Sequence, residues 1–415
     1  MKDCARWLLL MASLAVLGLT GCGNDTGTPP QQDSPDSAAQ DADGHTDAAK
    51  GPAEVPWNTY HGDFSLSGIT ETPLPNELTL AWRFLAGAPV VTTPVAGGAR
   101  IYFVNNKGRI FAIDSQGNEI WSVAIPREAR DKWSPKEQQF DAPLTYFRDT
   151  LLAGSVDGIL FALDAASGEV KWQADLDGTI LGAANVAVVT PKESGSESVR
   201  VYVIEQGSGV LHCLDFQTGQ PVWQSQGVER CDGSPGVGGG TAVFGSCAAA
   251  LHVFSAETGE RLHDIPMGDE SQVAGGVAVI DDEAYSGSRS GAVLKARTET
   301  GGVAWRNTDC TAEAFTTPAV DRQWVVFGCA SGDVHGLERE TGASKWTFHA
   351  GGLVTSAVIA RDKVVAGSEG TLFLLRLEDG TKLWSHEVSD EITSPAIFDG
   401  LVIVGCDDGT VAAFR

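Results

Sequence analysis

A tryptophan returns along this chain at one fixed place in a short motif, and that recurrence limits the fold more than any other feature. An apolar run leads to a glycine, a second apolar run follows, then a turn ending in Thr-Gly or a relative, then the tryptophan. The motif reads "GRIFAIDSQGNEIW", "GILFALDAASGEVKW", "GVLHCLDFQTGQPVW", "GAVLKARTETGGVAW", "GDVHGLERETGASKW" and "GTLFLLRLEDGTKLW", with "AALHVFSAETGERLH" ending in histidine instead. Starting from Trp82 in "LTLAWRF", the marked residues are Trp82, Trp121, Trp172, Trp223, His263, Trp305, Trp346 and Trp384. They are separated by 39, 51, 51, 40, 42, 41 and 38 residues. A period of about forty residues that holds four short strands is the pattern of β-propeller blades. Heavy use of glycine (49 residues) against 3 methionines suits many strands joined by tight turns.

Each repeat divides into strands A to D, expected in the second repeat at 142–147, 150–154, 159–164 and 169–175. Gly158 sits between B and C, where bulky residues resist the backbone geometry. The tryptophan on D is a large plate suited to covering the apolar layer between blades, so its reading is structural. The repeats number eight, or seven if the fourth or fifth is degenerate. The expected fold is all-β, an eight-bladed propeller over residues 56–415. Val411–Arg415 reads as a strand C without its D, and Leu78–Phe84 as a D without its C. Pairing them closes the ring and removes the exposed sheet edges.

The first 22 residues carry Lys2 and Arg6, then an apolar stretch from Trp7 to Leu19 that is short for a membrane span. The stretch ends in Leu19-Thr20-Gly21-Cys22, which resembles the lipobox of bacterial lipoproteins. The resemblance implies removal of residues 1–21 and acylation of Cys22. The chain is then held to a bilayer by lipid alone. Gly23, where an Asp would resemble an inner-membrane retention signal, favours the outer membrane. Residues 22–55 are polar and acidic, with Asp25, Asp33, Asp36, Asp41, Asp43 and Asp47, and read as a disordered tether. A formal charge of −25 disfavours nucleic acid as a partner.

The register of glycine, "A-x-D" and "T-G-x-x-x-W" resembles the PQQ-like propeller repeat family over residues 57–415. The opening "WNTYHGDFSLSG" is similar to that family's lead-in. Departures are His263 in place of tryptophan, expected to loosen its blade, and the aspartate found only as Asp114, Asp164 and Asp215. Two branches of the family imply different functions. The quinoprotein dehydrogenases imply PQQ with calcium at the ring's mouth, but their adjacent Cys-Cys pair and long insertions are missing here. The BamB-type scaffold lipoproteins imply a ring that holds partner domains and does no chemistry. No contact residue carries over by motif.

Six cysteines remain after Cys4 and Cys22. Cys231 precedes strand A of the fourth blade and Cys247 ends its strand B; Cys310 and Cys329 occupy the matching places in the sixth. Disulfides Cys231–Cys247 and Cys310–Cys329 are expected, consistent with export, while Cys213 and Cys406 read as buried thiols. His212, His252 and His335 align with Phe111, Phe161 and Phe373, so they read as packing residues. No nucleophile elbow, phosphate loop or zinc helix motif is present. No catalytic, cofactor-binding or metal-binding residue is therefore assigned. The insertion Pro126–Asp141, with Trp133 and Phe140, suits a partner-gripping loop. The expectation is a monomeric, non-enzymatic scaffold facing the periplasm or the surface. Its partners would be envelope proteins such as the outer-membrane barrel-assembly complex. The alternatives are a PQQ- and calcium-dependent dehydrogenase, or an envelope lipoprotein that binds a glycan or another ligand.

Overall fold

A computed structural model describes residues 56–127, 136–191, 195–268 and 271–415. The chain separates into two compact units, Met1–Gly51 and Pro52–Arg415, and every described residue belongs to the second. The signal segment, Cys22, the tether and Trp133 lie outside the described residues.

The second unit is a closed ring of eight sheets, seven of four strands and one of five, and no helix occurs among the described residues. Blades one to seven span 95–124, 145–175, 185–224, 236–266, 278–307, 319–349 and 358–387. Blade two shows the pattern: Thr145–Phe147, Thr150–Gly154, Ile159–Asp164 and Val170–Asp175, running from the axis outward as A to D. Strands B and C are rich in Leu, Ile, Val, Phe and Ala and are almost wholly buried, because blades cover both of their faces. Strand D alternates exposed and half-buried residues, since one of its faces meets water.

What joins one blade to the next is a latch between the tryptophan and the following C–D turn. The Trp172 Nε1–H donates to the Phe216 carbonyl at 3.0 Å, and its ring lies over Gly219. The same bond runs from Trp82 to Ser115, Trp121 to Ala165, Trp223 to Glu257, Trp305 to Arg339 and Trp346 to Leu377, at 2.7–3.1 Å. The indoles are therefore rim plates, mostly half-exposed, and not deep core. Asp114, Asp164 and Asp215 serve the turn itself, each accepting backbone N–H groups from the residues that follow it. The expected loosening at His263 is corrected by the geometry. His263 stands over Gly301 with Nε2 2.8 Å from the Glu299 carbonyl, so imidazole makes both contacts of the indole.

The eighth blade joins two distant stretches: Ala396–Phe398, Leu401–Gly405 and Thr410–Phe414, then Leu80–Leu85 as the outer strand. Leu80 faces Phe414, Trp82 faces Ala413 and Leu85 faces Thr410. Thr79 and Arg415 exchange two backbone hydrogen bonds at 2.8 Å. This pair stands where other blades have a C–D turn. Trp384, which has no turn to cover, packs edge-on against Phe414.

Two outcomes are expected. Deleting residues 410–415 unpairs Leu80–Leu85, and thermal melting should shift down by about 10 °C or more, read by circular dichroism. At Gly219, φ is +69° and an added Cβ would meet Trp172 Cε3 at 2.5 Å. Gly219→Ala should cost about 2–3 kcal/mol in urea unfolding, from backbone strain plus a displaced indole.

Candidate functional site

The D–A connections and B–C turns share one face of the ring, here the upper face; the A–B and C–D turns form the lower one. On the upper face each B–C turn is clamped by the connections that enter and leave its blade. In blade two, Val156 N–H donates to the Gln139 carbonyl and Ile180 N–H to the Ser155 carbonyl. This makes the face a rigid platform.

The axis is closed by the chain's own lead-in. Residues 57–70 circle along the inner strands and bond to them in blade order. Trp57 exchanges backbone bonds with Ala96, Asn58 accepts from Tyr146, and Phe64 accepts from Asn185 Nδ2 and Val237. Ser65, Ser67 and Gly68 accept from Val279, Val320 and Ile359, and Ile69–Thr70 pairs in parallel with Val358–Ala360. One short segment thus ties seven blades together. It carries His61, which is fully buried beneath Gly68, and burial pulls its pKa down to about 4. Tyr60 OH lies 2.7 Å from Thr317 Oγ1, and burial pushes its pKa up to about 12.

Just before strand A, several blades place a serine or threonine in a belt around the axis. Ala183 N–H donates to Ser234 Oγ at 2.8 Å, Gly276 to Thr317, Thr317 to Ser356 and Ser356 to Ser394 at 3.0–3.1 Å. The belt hydroxyls are thus engaged between neighbouring blades, and Ser234, Thr317 and Ser356 are buried. A planar quinone with calcium needs an open mouth lined by several free oxygen donors. This axis, filled by Tyr60 and His61, does not fit that group. Among the described residues no three His, Cys, Asp or Glu side chains are arranged to hold a metal.

One constellation has the outline of a hydrolytic triad. Ser246 Oγ is 2.7 Å from His252 Nε2, and His252 Nδ1 is 2.8 Å from Asp264 Oδ1. Accessibility is reversed from what catalysis requires. Ser246 is fully buried and also accepts the Ala248 N–H, while the Asp264 carboxylate is about half exposed at 47%. A substrate cannot reach the hydroxyl, so the group ties the B–C turn to strand D. Burial keeps the His252 imidazole below its ordinary pKa despite the bond to Asp264. No sequence motif marks these three residues; only the fold brings them together. His335 stacks on Phe327 and His252 lies against Phe244. With His212 they hold the register of Phe111, Phe161 and Phe373 on strand C.

Cys310 and Cys329 are joined by a disulfide. The expected Cys231–Cys247 bond is absent, and both residues carry thiols. The reason is register. Cys329 is the first residue of its B–C turn, whereas Ser246 holds that place in blade four and Cys247 is one residue further on. Cys213 and Cys406 are buried thiols.

The insertion after blade one begins as a short ribbon, with Pro126 bridged to Glu137 and Arg127 ion-paired to Asp157. Phe140, expected on a partner-facing loop, is instead 2% exposed and packs edge-on against Phe161. It anchors the loop to the core. Lys107, Arg127 and Lys136 gather at the foot of this loop. Asp157 and Glu205 follow on the B–C turns of blades two and three, and Asp177 and Asp232 on the connections that leave these blades.

Comparison with known proteins follows the same lines. The family model described as "Outer membrane protein assembly factor BamB" matches residues 79–176, 107–262 and 250–414. An outer membrane protein assembly factor BamB of Yersinia pestis is 25% identical over 360 residues, covering 82% of this chain and 80% of that protein. The crystal structure of BamB from Moraxella catarrhalis superposes with a TM-score of 0.64 at 19% identity, covering 81% of this chain and 97% of that one. The quinohemoprotein alcohol dehydrogenase of Comamonas testosteroni gives 0.68 at 14% identity, covering 87% and 80%. At these identities the structural likenesses establish the fold alone.

The reversed triad makes a clear prediction. A fluorophosphonate probe should leave Ser246 unlabelled in the folded protein, as read by mass spectrometry. Ser246→Ala should lower unfolding stability by about 1–3 kcal/mol, because it strands the buried His252 Nε2.

Proposed function

Because the chain belongs to the family described as outer membrane protein assembly factor BamB, we propose that it is a non-catalytic scaffold. It works in outer-membrane protein assembly and is held to the membrane by a lipid on Cys22. The observation that carries this reading is the closed axis. Residues 57–70 and the hydroxyl belt occupy the place where a ring of this kind would hold a small molecule, which leaves its two faces for partners. The rigid upper face, with its charged connections and the loop rooted by Phe140, suits a protein better than a small substrate. In this reading the protein is a monomer facing the periplasm, and Trp133 is the side chain offered to the partner. An aromatic anchor among charges of both signs is the usual composition of a binding hot spot.

Affinity capture from detergent-solubilised envelope tests the proposal. The barrel-assembly complex should co-purify with the wild-type chain and be depleted about tenfold with Trp133→Ala, a loss of about 1.4 kcal/mol in binding. The variant's melting temperature should stay unchanged. Consistent absence of that complex from the wild-type capture would overturn the scaffold role. Undiminished recovery with Trp133→Ala would remove Trp133 from the contact.

A further inference from the structure

Blade six breaks the repeat at one place on the lower face. Trp324 opens its strand B (Trp324–Gly328) and stands opposite Glu338 across the ladder. At the same register other blades carry Thr150, Arg200, Thr241, Glu283 and Lys363, and blade eight carries the buried Leu401; none of these is aromatic. This indole is not the latch of its blade, which is Trp346; one side of it packs against the apolar layer between blades six and seven and the rest is exposed.

The surroundings turn Trp324 into a platform. Gly336 stands opposite Trp346, and a Cβ on it would lie 2.1 Å from Trp346 Cε2, so the latch indole sinks against strand C. Trp324 tilts over it with ring centres 6.5 Å apart. Beside Trp324 lies a cleft of about 350 Å³, bounded by Arg322 and Gln323 from the A–B turn, Glu340 from the C–D turn, Glu338 at the end of strand C and Lys345 on strand D. Glu338 pairs with Lys345 at 3.1 Å, and Glu340 reaches the buried Lys295 at 3.3 Å. The exposed Arg322 guanidinium and Gln323 side-chain amide make no hydrogen bond or ion pair among the described residues. They are free to bind something else.

We propose that this cleft binds a carbohydrate: a neutral, pyranose-type oligosaccharide with one sugar face on Trp324 and its hydroxyls bridging Arg322, Gln323 and Glu340. The chemistry selects this class. A pyranose offers a flat apolar C–H face to an aromatic ring and hydroxyls that donate and accept side by side. The cleft supplies an indole face, two cations and two carboxylates, so its charge balances. A phosphate would be repelled by Glu338 and Glu340, and a metal ion by Arg322 and Lys345. The inference does not rest on the scaffold role, since the cleft is on the opposite face from the proposed partner loop.

The test is a titration of the full-length, detergent-solubilised protein with chitotriose and with maltotriose, followed by saturation-transfer NMR. At least one trisaccharide should bind saturably. Trp324→Ala should weaken it by about tenfold and Trp324→Phe by no more than about threefold, corresponding to about 1.4 and 0.7 kcal/mol. Arg322→Ala, a change at an exposed side chain, should weaken binding with an unchanged melting temperature and covers the case in which Trp324→Ala misfolds. No saturable binding by either sugar would overturn the proposal. So would binding that all three variants leave intact. Capture of the assembly complex is a separate measurement, so the two proposals fail independently.

Discussion

The structure depends on a contact about the size of one side chain, made again at nearly every blade boundary. An indole lies on the glycine of the next blade's turn and gives its N–H to a carbonyl of that same turn. The two halves of the contact constrain each other. The ring can approach only because glycine has no side chain, and the N–H finds its acceptor only at that close approach. A hydrogen bond at a half-exposed rim is worth about 1 kcal/mol alone, so the strength lies in repetition around a closed ring. His263 shows what the contact requires. An aromatic plate with an N–H at its far edge meets the condition, and a tryptophan is only its commonest form.

Closure imposes the second constraint. Eight blades joined only at their rims could still splay near the axis, where strand A is about three residues long. The lead-in segment answers this by bonding to successive inner strands while filling the space between them. The hydroxyl belt adds blade-to-blade bonds at four of the boundaries just above. Both devices bury polar groups near the axis: the belt hydroxyls and the lead-in's backbone groups are paired, whereas Trp57 Nε1 and both ring nitrogens of His61 are buried without a hydrogen bond among the described residues. A ring locked in this way at its axis differs in kind from a propeller with an open mouth, although their backbones superpose. The likeness to a quinohemoprotein dehydrogenase, at 14% identity, is a likeness of fold.

Much of this was legible in the residues. The tryptophan period marks the blades, and the unmatched strands at Leu78–Phe84 and Val411–Arg415 mark the seam, because a strand pattern without its neighbour has to find one. What was not legible depends on offsets of a single residue or on which way a side chain turns. Cys231 and Cys247 look like a second copy of the Cys310–Cys329 arrangement until the ladder shows that Ser246 holds the place of Cys329. Phe140 lies in a stretch rich in charge, which reads as surface, yet it turns inward onto Phe161. The lead-in "WNTYHGDFSLSG" was recognisable as a motif, but its path around the axis is a long-range property that no local pattern carries. Ser246, His252 and Asp264 are invisible for the same reason, and burial decides what they do more than distance does.

A repeat fold offers a built-in control for reading function, because every position has up to seven counterparts under nearly the same structural demands. A side chain shared by the blades is explained by the ring. One that departs while keeping the local contact, as His263 does, is explained by tolerance. A third kind of departure meets no demand of the ring and costs something to keep. Lys295 is fully buried opposite Trp305, where other blades place Ala112, Ala162 or Leu374, and it is held by Glu283 at 2.8 Å. Burial alone would raise the Glu283 pKa, but hydrogen bonds from Lys295, Tyr285 and Arg339 keep it at about 2. Glu340 reaches the same ammonium, so this charged cluster sits directly behind the Trp324 cleft. Trp324, Gly336 and Lys295 each depart from the blade pattern, and all three fall within blades five and six. Independent departures would be scattered around the ring. Their convergence on one patch of the lower face is what a site added to the scaffold would leave behind.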